Sequence, residues 1–309
     1  MNKTFIAGHN GMVGSALVRK LINKENLLLV NKKDLDLQNQ FQVDSFFKEN
    51  KPSKVYLAAA KVGGIYASNS YRADFIYNNL QIQNNVINAC YKYNVEKLLF
   101  LGSSCVYPKF SEQPIKEESL LTGPLEYTNE SYSIAKIAGI KMCESYYKQY
   151  GCNFFSVMPT NLYGPNDKFD LQNSHVLPCL LRKFHEAKIN NNPSVEIWGT
   201  GKPKREFMYV DDMAEACIHI MNNVDAKDLY DSGISHINIG TGEDISINEL
   251  AEIISKIVDF NGNIIYNISQ PDGNPKRLLN IDRLKKLGFT AKTKLKEGIE
   301  LTYNWYINQ

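Results

Sequence analysis

Tyr132 and Lys136 stand four residues apart in the stretch Asn129-Glu130-Ser131-Tyr132-Ser133-Ile134-Ala135-Lys136-Ile137-Ala138-Gly139. On a helix, the phenol and the ammonium leave the same face, one turn apart. A cation held beside a phenol favours the phenolate and lowers a pKa that is about 10 in the free side chain. Tyr132 then becomes a proton donor usable near neutral pH. An amphipathic helix with a chance tyrosine has the same spelling, so the pair takes its meaning from its surroundings.

A second stretch, Gly8-His9-Asn10-Gly11-Met12-Val13-Gly14, follows the apolar run Lys3–Ala7 and precedes an apolar, helix-forming run to about Lys24. A strand, a glycine turn and a helix gather free N–H groups and the positive helix end at one point, which suits a pyrophosphate. The spacing Gly-x-x-Gly-x-x-Gly departs from the dinucleotide fingerprint Gly-x-Gly-x-x-Gly, and a tight strand–helix turn without a ligand is the plainer alternative. After the next apolar run, Leu27–Val30, comes Asn31-Lys32-Lys33-Asp34. An acid at that place suits NAD, whereas positive charge suits the 2′-phosphate of NADP. Two lysines precede the first acid, so the expectation is NADPH with Lys33 as its contact; a solvated basic turn is the alternative.

These groups need elements to position them. Lys54–Ala60, Lys97–Gly102 and Asn153–Met158 read as buried strands, separated by helical patterns around Phe41–Phe47, Ala73–Tyr93 and up to Tyr150. The β-α alternation over about 160 residues predicts a doubly wound parallel sheet of the Rossmann type, with right-handed crossovers. Ligands of such sheets sit at the carboxyl ends of the strands. The glycine turn, Ser103, Cys105 and Pro159–Pro165 all fall there. Beyond Pro165 the alternation lapses into a smaller α/β lobe, with a Ser246-capped helix over Ile247–Val258. The expected organisation is a cofactor domain over 1–165, to which about 206–240 returns, and a mainly substrate-binding lobe over 166–309.

Composition narrows the function classes. Over 309 residues, Lys+Arg 35 against Asp+Glu 33 leaves a net charge of +2, which offers no field for nucleic acid or an anionic membrane. No run reaches the ~18 apolar residues of a membrane span, and the start of the chain lacks the pattern of a secretory signal. Six cysteines, at 90, 105, 143, 152, 179 and 217, form no Cys-x-x-Cys pair and have no neighbouring histidine for zinc. No metal site is expected, and free thiols fit a cytoplasmic protein.

Together the glycine turn 8–14, Ser103, Tyr132 with Lys136, and Arg205-Glu206-Phe207 with Val210-Asp211-Asp212 resemble the marks of the extended short-chain dehydrogenase/reductases that act on nucleotide sugars. Leu57–Gly64, Leu101–Val106, Tyr132–Ile140, Met158–Pro165, Asn173–Val176 and Ser235–Gly240 are most similar to its epimerase/reductases of GDP-4-keto-6-deoxy-D-mannose. The resemblance implies a GDP-linked 4-keto-6-deoxy sugar epimerised at C3 and C5 and then reduced at C4 by NADPH, giving GDP-L-fucose. A C4 reductase of a related GDP-linked hexose or heptose, and a non-catalytic NADP(H)-binding protein, are the alternatives.

By the same resemblance Cys105 and His175 are the base and acid of epimerisation, although a cysteine after a strand also reads as core and a histidine as a helix cap. Tyr132 is the proton donor, with Lys136 and Ser103 assisting. Leu101, Gly102, Ser103, Ser104, Lys136, Pro159, Thr160, Asn161, Leu162 and His175 line the cofactor beside the glycine turn. Lys183, Trp198, Arg205 and Asp272 bind the sugar nucleotide, with Arg205 suited to the diphosphate; an ion pair of Arg205 with Glu206 or Asp211 is its alternative. Asn10 stands where a basic residue is common. A homodimer through the helices near 74–93 and 132–150 is also implied.

Overall fold

Short runs rich in Val, Ile, Leu and Phe, buried on both faces, form the strands of a central parallel sheet. The computed structural model describes residues 2–171, 173–270 and 272–309. In chain order the first half runs β1 (Lys3–Ala7), α1 (Met12–Leu21), β2 (Asn26–Leu28), α2 (Gln40–Asn50), β3 (Lys54–Leu57), α3 (Ile65–Ser70), α4 (Arg72–Lys92), β4 (Lys97–Leu101), α5 (Glu130–Tyr150) and β5 (Phe154–Pro159). Then come β6 (Asn161–Tyr163), α6 (Val176–Ile189), β7 (Ser194–Trp198), β8 (Lys204–Tyr209), α7 (Val210–Asn223), α8 (Ala226–Tyr230) and β9 (His236–Ile239). The chain closes with β10 (Asp244–Ser246), α9 (Ile247–Val258), β11 (Asn263–Asn267), β12 (Lys276–Arg277), α10 (Asp282–Lys286) and α11 (Leu295–Ile307).

The main sheet has the order β2-β1-β3-β4-β5-β9, every neighbouring pair parallel. Strand order reverses between β1 and β3, which opens a crevice at their carboxyl ends. Helix α4 packs along α5, and α1 packs along α7. Of the stretch 206–240, β9 joins the main sheet beside β5, whereas β8 pairs with β6, β10 and β12 in a second sheet. A further pair, β7 with β11, stands apart from both.

The strand expected over Lys54–Ala60 stops at Leu57. Ala58 still donates to the Ala7 carbonyl at 3.0 Å, but the small residues after it leave the ladder and floor the crevice. The main core gathers Phe5, Leu17, Val55, Leu99, Phe155 and Ile237 around the sheet. A second core, with Leu181, Phe184, Ile197, Leu250, Ile254 and Ile299, holds the other lobe together. Within it Ser246 and Glu249 form a reciprocal capping box that starts α9 where the sequence places it.

Candidate active site

At the carboxyl ends of β1, β3, β4 and β5 lies a cavity of about 680 Å³, within the range of small-molecule and cofactor sites. Its wall includes Gly8–Gly14, Ala58–Val62, Leu101–Cys105, Tyr132, Lys136, Pro159–Leu162 and His175. The glycine turn is closed against its neighbours. Gly8 has φ +90°, and a Cβ there would lie 2.8 Å from the Ala59 backbone; a Cβ on Gly14 would overlap the Gly8 carbonyl. The turn delivers the first N–H groups of α1 to the cavity, where no helical carbonyl can accept from them. That geometry fits the pyrophosphate of a dinucleotide.

Farther along, the Asn10 side chain donates to Asn31 Oδ1 at 2.8 Å, which ties the glycine turn to the end of β2. Lys32 lines the cavity and Lys33 does not. Both lysines lie in the turn after β2, which Asp34 N and Leu35 N close on the Asn31 carbonyl at 3.0 Å. Lys32 therefore joins Lys33 as a candidate contact for a 2′-phosphate.

The reacting groups hang from the end of β4 and from α5. After β4 the chain turns through Ser104–Val106, with the Ser103 hydroxyl accepting from Cys105 N at 3.3 Å. Ser133 Oγ donates to the Cys105 carbonyl at 2.9 Å, and Arg277 Nη1 donates to the Ser104 carbonyl at 2.8 Å. Three elements thus fix one turn. Tyr132 packs edge-on against Phe75, and Lys136 Nζ lies 5.9 Å from the Tyr132 ring centroid.

Lys136 is buried, donates to the Leu101 carbonyl at 2.7 Å and lies 4.7 Å from the Phe100 ring centroid. Burial lowers its pKa to about 7. Burial likewise raises the Tyr132 phenol, Cys105 adds to that, and the Ser103 hydroxyl pulls it back. Lys136 was expected to lower the tyrosine pKa. Burial opposes that effect in the structure, since it raises the phenol and lowers the ammonium alike.

Cys105 is half-buried at the cleft, unlike the core thiols Cys90, Cys143 and Cys217. His175 is the N-cap residue of α6, yet its side chain makes no capping hydrogen bond. His175 borders the cleft while keeping an exposed surface, and its partial burial lowers its pKa. Cys105 is thus set apart from the core thiols, and the His175 ring is not used in capping α6. Met12, Val13, Ser103, Ser104 and His9 share the same wall.

The four expected substrate residues lie outside that wall. Lys183 donates to the Glu196 carbonyl at 3.0 Å, with its ammonium 5.6 Å from the centroid of the exposed Trp198 ring. Asp272 accepts from Thr200 N and Thr200 Oγ1 at 2.8 and 2.7 Å, closing the turn after Trp198. Arg205 is half-buried and donates only to carbonyls, of Lys204 at 2.7 Å and Asn274 at 2.6 Å. Burial first, and the neighbouring Arg277 second, lower its pKa to about 10.

The alternative pairings of Arg205 do not form. Glu206 accepts instead from the amides of Thr241, Gly242 and Leu279 at 2.6, 2.7 and 3.0 Å, and Asp211 pairs with Arg19. Among the described residues no carboxylate lies within ion-pair distance of Arg205 or Arg277. Two adjacent guanidinium groups beside the Cys105 turn form a place for an anion. Sequence reading gave no sign of the contact of Arg277 with Ser104, which spans 173 positions. It also missed Asn79, whose buried amide holds both the N–H and the carbonyl of Lys61, at 2.8 and 3.0 Å, and so fixes the β3 loop. Among the described residues no cluster of His, Cys, Asp and Glu can hold a metal ion, and no helix is long and apolar enough to cross a membrane.

Comparison with known proteins agrees with this geometry. Residues 4–240 match the model of the NAD dependent epimerase/dehydratase family. GDP-L-fucose synthase 1 of Arabidopsis thaliana is 54% identical over 307 residues, covering 99% of this chain and 93% of that protein. A solved GDP-6-OMe-4-keto-L-xylo-heptose reductase from C. jejuni superposes with a TM-score of 0.94 at 45% identity, covering 100% of this chain and 98% of that one. The GDP-mannoheptose C4 reductase of Campylobacter jejuni with NADP bound gives 0.90 at 44% identity, covering 99% and 98%. The chain therefore belongs to the NAD dependent epimerase/dehydratase family, the extended short-chain dehydrogenase/reductases.

Proposed function

We propose that this protein converts GDP-4-keto-6-deoxy-D-mannose to GDP-L-fucose, epimerising C3 and C5 and then reducing C4 with NADPH. The observation that carries the reading is one cavity wall holding Ser103, Tyr132 and Lys136 together with Cys105 and His175. The likeness to a GDP-L-fucose synthase at 54% identity supports the choice of sugar.

The C4 carbonyl acidifies the protons on C3 and C5, because loss of either leaves an enolate. Cys105 as thiolate removes the proton, and His175 returns one to the other face of the ring. Bound NADPH supplies the hydride for C4. Tyr132 gives its proton to the C4 oxygen, Ser103 donates a hydrogen bond to the same oxygen, and Lys136 steadies the phenolate left behind. Gly8–Gly14 and Lys32 hold the cofactor phosphates, while Arg205 holds the diphosphate of the sugar nucleotide. The protein works in the cytoplasm as a homodimer joined through α4 and α5, whose exposed Tyr77, Tyr91, Ile134 and Tyr150 support that face.

A second reading keeps only the C4 reduction, on a GDP-linked heptose, and is favoured by the two heptose reductases at 44% and 45% identity. Incubation with GDP-4-keto-6-deoxymannose and NADPH in D2O separates them. Deuterium at C3 and C5 of a GDP-L-fucose product is expected. Reduction without deuterium at those carbons overturns the epimerase in favour of the reductase.

A further inference from the structure

We propose that Trp305 and Tyr306 of α11 are positioning residues for His175, acting through Phe169. The inference rests on the role given to His175 above. His175 ends the segment 164–175 between β6 and α6, which is long for a connection and whose described residues form no helix or strand. A histidine that must meet one face of a sugar ring cannot ride on a loose loop, since misplacement by about 1 Å costs on the order of 10²-fold in rate. Asn166 Nδ2 ties the start of the segment to α1 by donating to Ser15 Oγ at 2.9 Å, and two further ties lie nearer His175.

One tie is aromatic. The Phe169 ring stacks on Tyr306, with centroids 4.5 Å apart at 30°, and lies 6.1 Å from Trp305 at 28°. Arg182 Nη1 donates to the Phe169 carbonyl at 3.0 Å while its Nε is engaged by Glu186 at 2.6 Å. From Phe169 toward His175 the chain folds on itself. Asp170 Oδ1 accepts from Asn173 N at 2.6 Å and Asn173 Nδ2 at 3.1 Å, and Ser174 N donates to the Asp170 carbonyl at 3.3 Å.

The other tie comes from the cofactor side. Gly64 N donates to the Asn173 carbonyl at 2.7 Å, and a Cβ on Gly64 would come within 2.6 Å of the Ser174 carbonyl oxygen. The turn that presents His175 is therefore held between the β3–α3 loop and the aromatic pair. Tyr306 also packs edge-on against His185 of α6, with centroids 5.2 Å apart, but neither Trp305 nor Tyr306 belongs to the second core. Helix α11 fills that core with Ile299 and Thr302, whereas Trp305 and Tyr306 lie past them, half-exposed. They also lie beyond the residues 4–240 that the family model matches. Stacked aromatic pairs of this kind correspond to about tenfold in the population of the held conformation.

The test is the Trp305→Ala/Tyr306→Ala double variant, with Trp305→Phe/Tyr306→Phe as the conservative control. In the double variant, deuterium entry at C3 and C5 of the keto sugar, without NADPH, falls about tenfold. Reduction of the already epimerised ketone stays within about twofold, and the phenylalanine pair restores exchange. Amide hydrogen exchange accelerates in 164–175 and is unchanged in the strands of the main sheet. If the double variant fails to fold, Tyr306→Leu alone shows the same pattern at about threefold. Parallel loss of exchange and reduction, no rescue by phenylalanine, or unchanged amide exchange in 164–175 overturns the proposal. Where the unaltered protein itself takes up no deuterium, the epimerase reading fails and the positioning is decided separately. The His175 imidazole then titrates closer to the ordinary histidine value in the double variant if the proposal holds, and identically if it does not.

Discussion

Ser103, Tyr132 and Lys136 come from the end of β4 and from α5, two elements consecutive along the chain, and they face the cleft at the strand ends. Lys183, Trp198, Arg205 and Asp272 come from α6, β7, β8 and the stretch before β12, with Trp198 and Asp272 exposed and Lys183 and Arg205 half-buried. The hydride half is rigid because buried strands and a packed helix carry it. Its polar atoms are matched one by one, as Lys136 is by the Leu101 carbonyl. The sugar half is held by hydrogen bonds between exposed groups, such as Asp272 with Thr200. Chemistry common to many substrates sits on the rigid half, and choice of substrate sits on the half that can vary at low structural cost.

The comparison breaks first at Tyr132. Tyr132→Phe removes the proton donor and is expected to slow reduction by about 10³-fold, with NADPH affinity by fluorescence titration unchanged. Turnover at the original rate would remove Tyr132 from the chemistry. In the other half, Arg205→Met is expected to raise KM for the GDP-sugar by about 10- to 100-fold, the loss of charged hydrogen bonds to phosphate. Its kcat stays within a few-fold and the NADPH Kd is unmoved; a fall in kcat alone would shift Arg205 into the reacting centre. Asp272→Ala, at an exposed turn, is expected to raise KM by only a few-fold. A larger effect would show that the turn after Trp198 is as rigid as the hydride half.

Much of the hydride half was legible in the chain because its signals are local. The glycine turn follows β1 directly, Tyr132 and Lys136 share one helix face, and strand ends are marked by small residues. The turn after β2 brings Lys32 to the cavity wall, a placement that spelling does not record. The burial that raises the Tyr132 phenol is hidden from spelling for a related reason. Spacing shows that a lysine is near, but only packing shows that the lysine is dry.

The sequence by itself determined the alternation of strands and helices, the cavity edge where they end, and the residue types gathered there. Period, capping and glycine spacing are properties of neighbours along the chain, so they survive in one dimension. Only the tertiary structure decided that Arg277 reaches the Ser104 carbonyl, that Glu206 serves amides rather than Arg205, and that Gly64 and Phe169 grip the loop of His175 from opposite sides. Those contacts join residues tens to hundreds of positions apart. They are fixed by which buried polar group can find a partner once the sheets are packed.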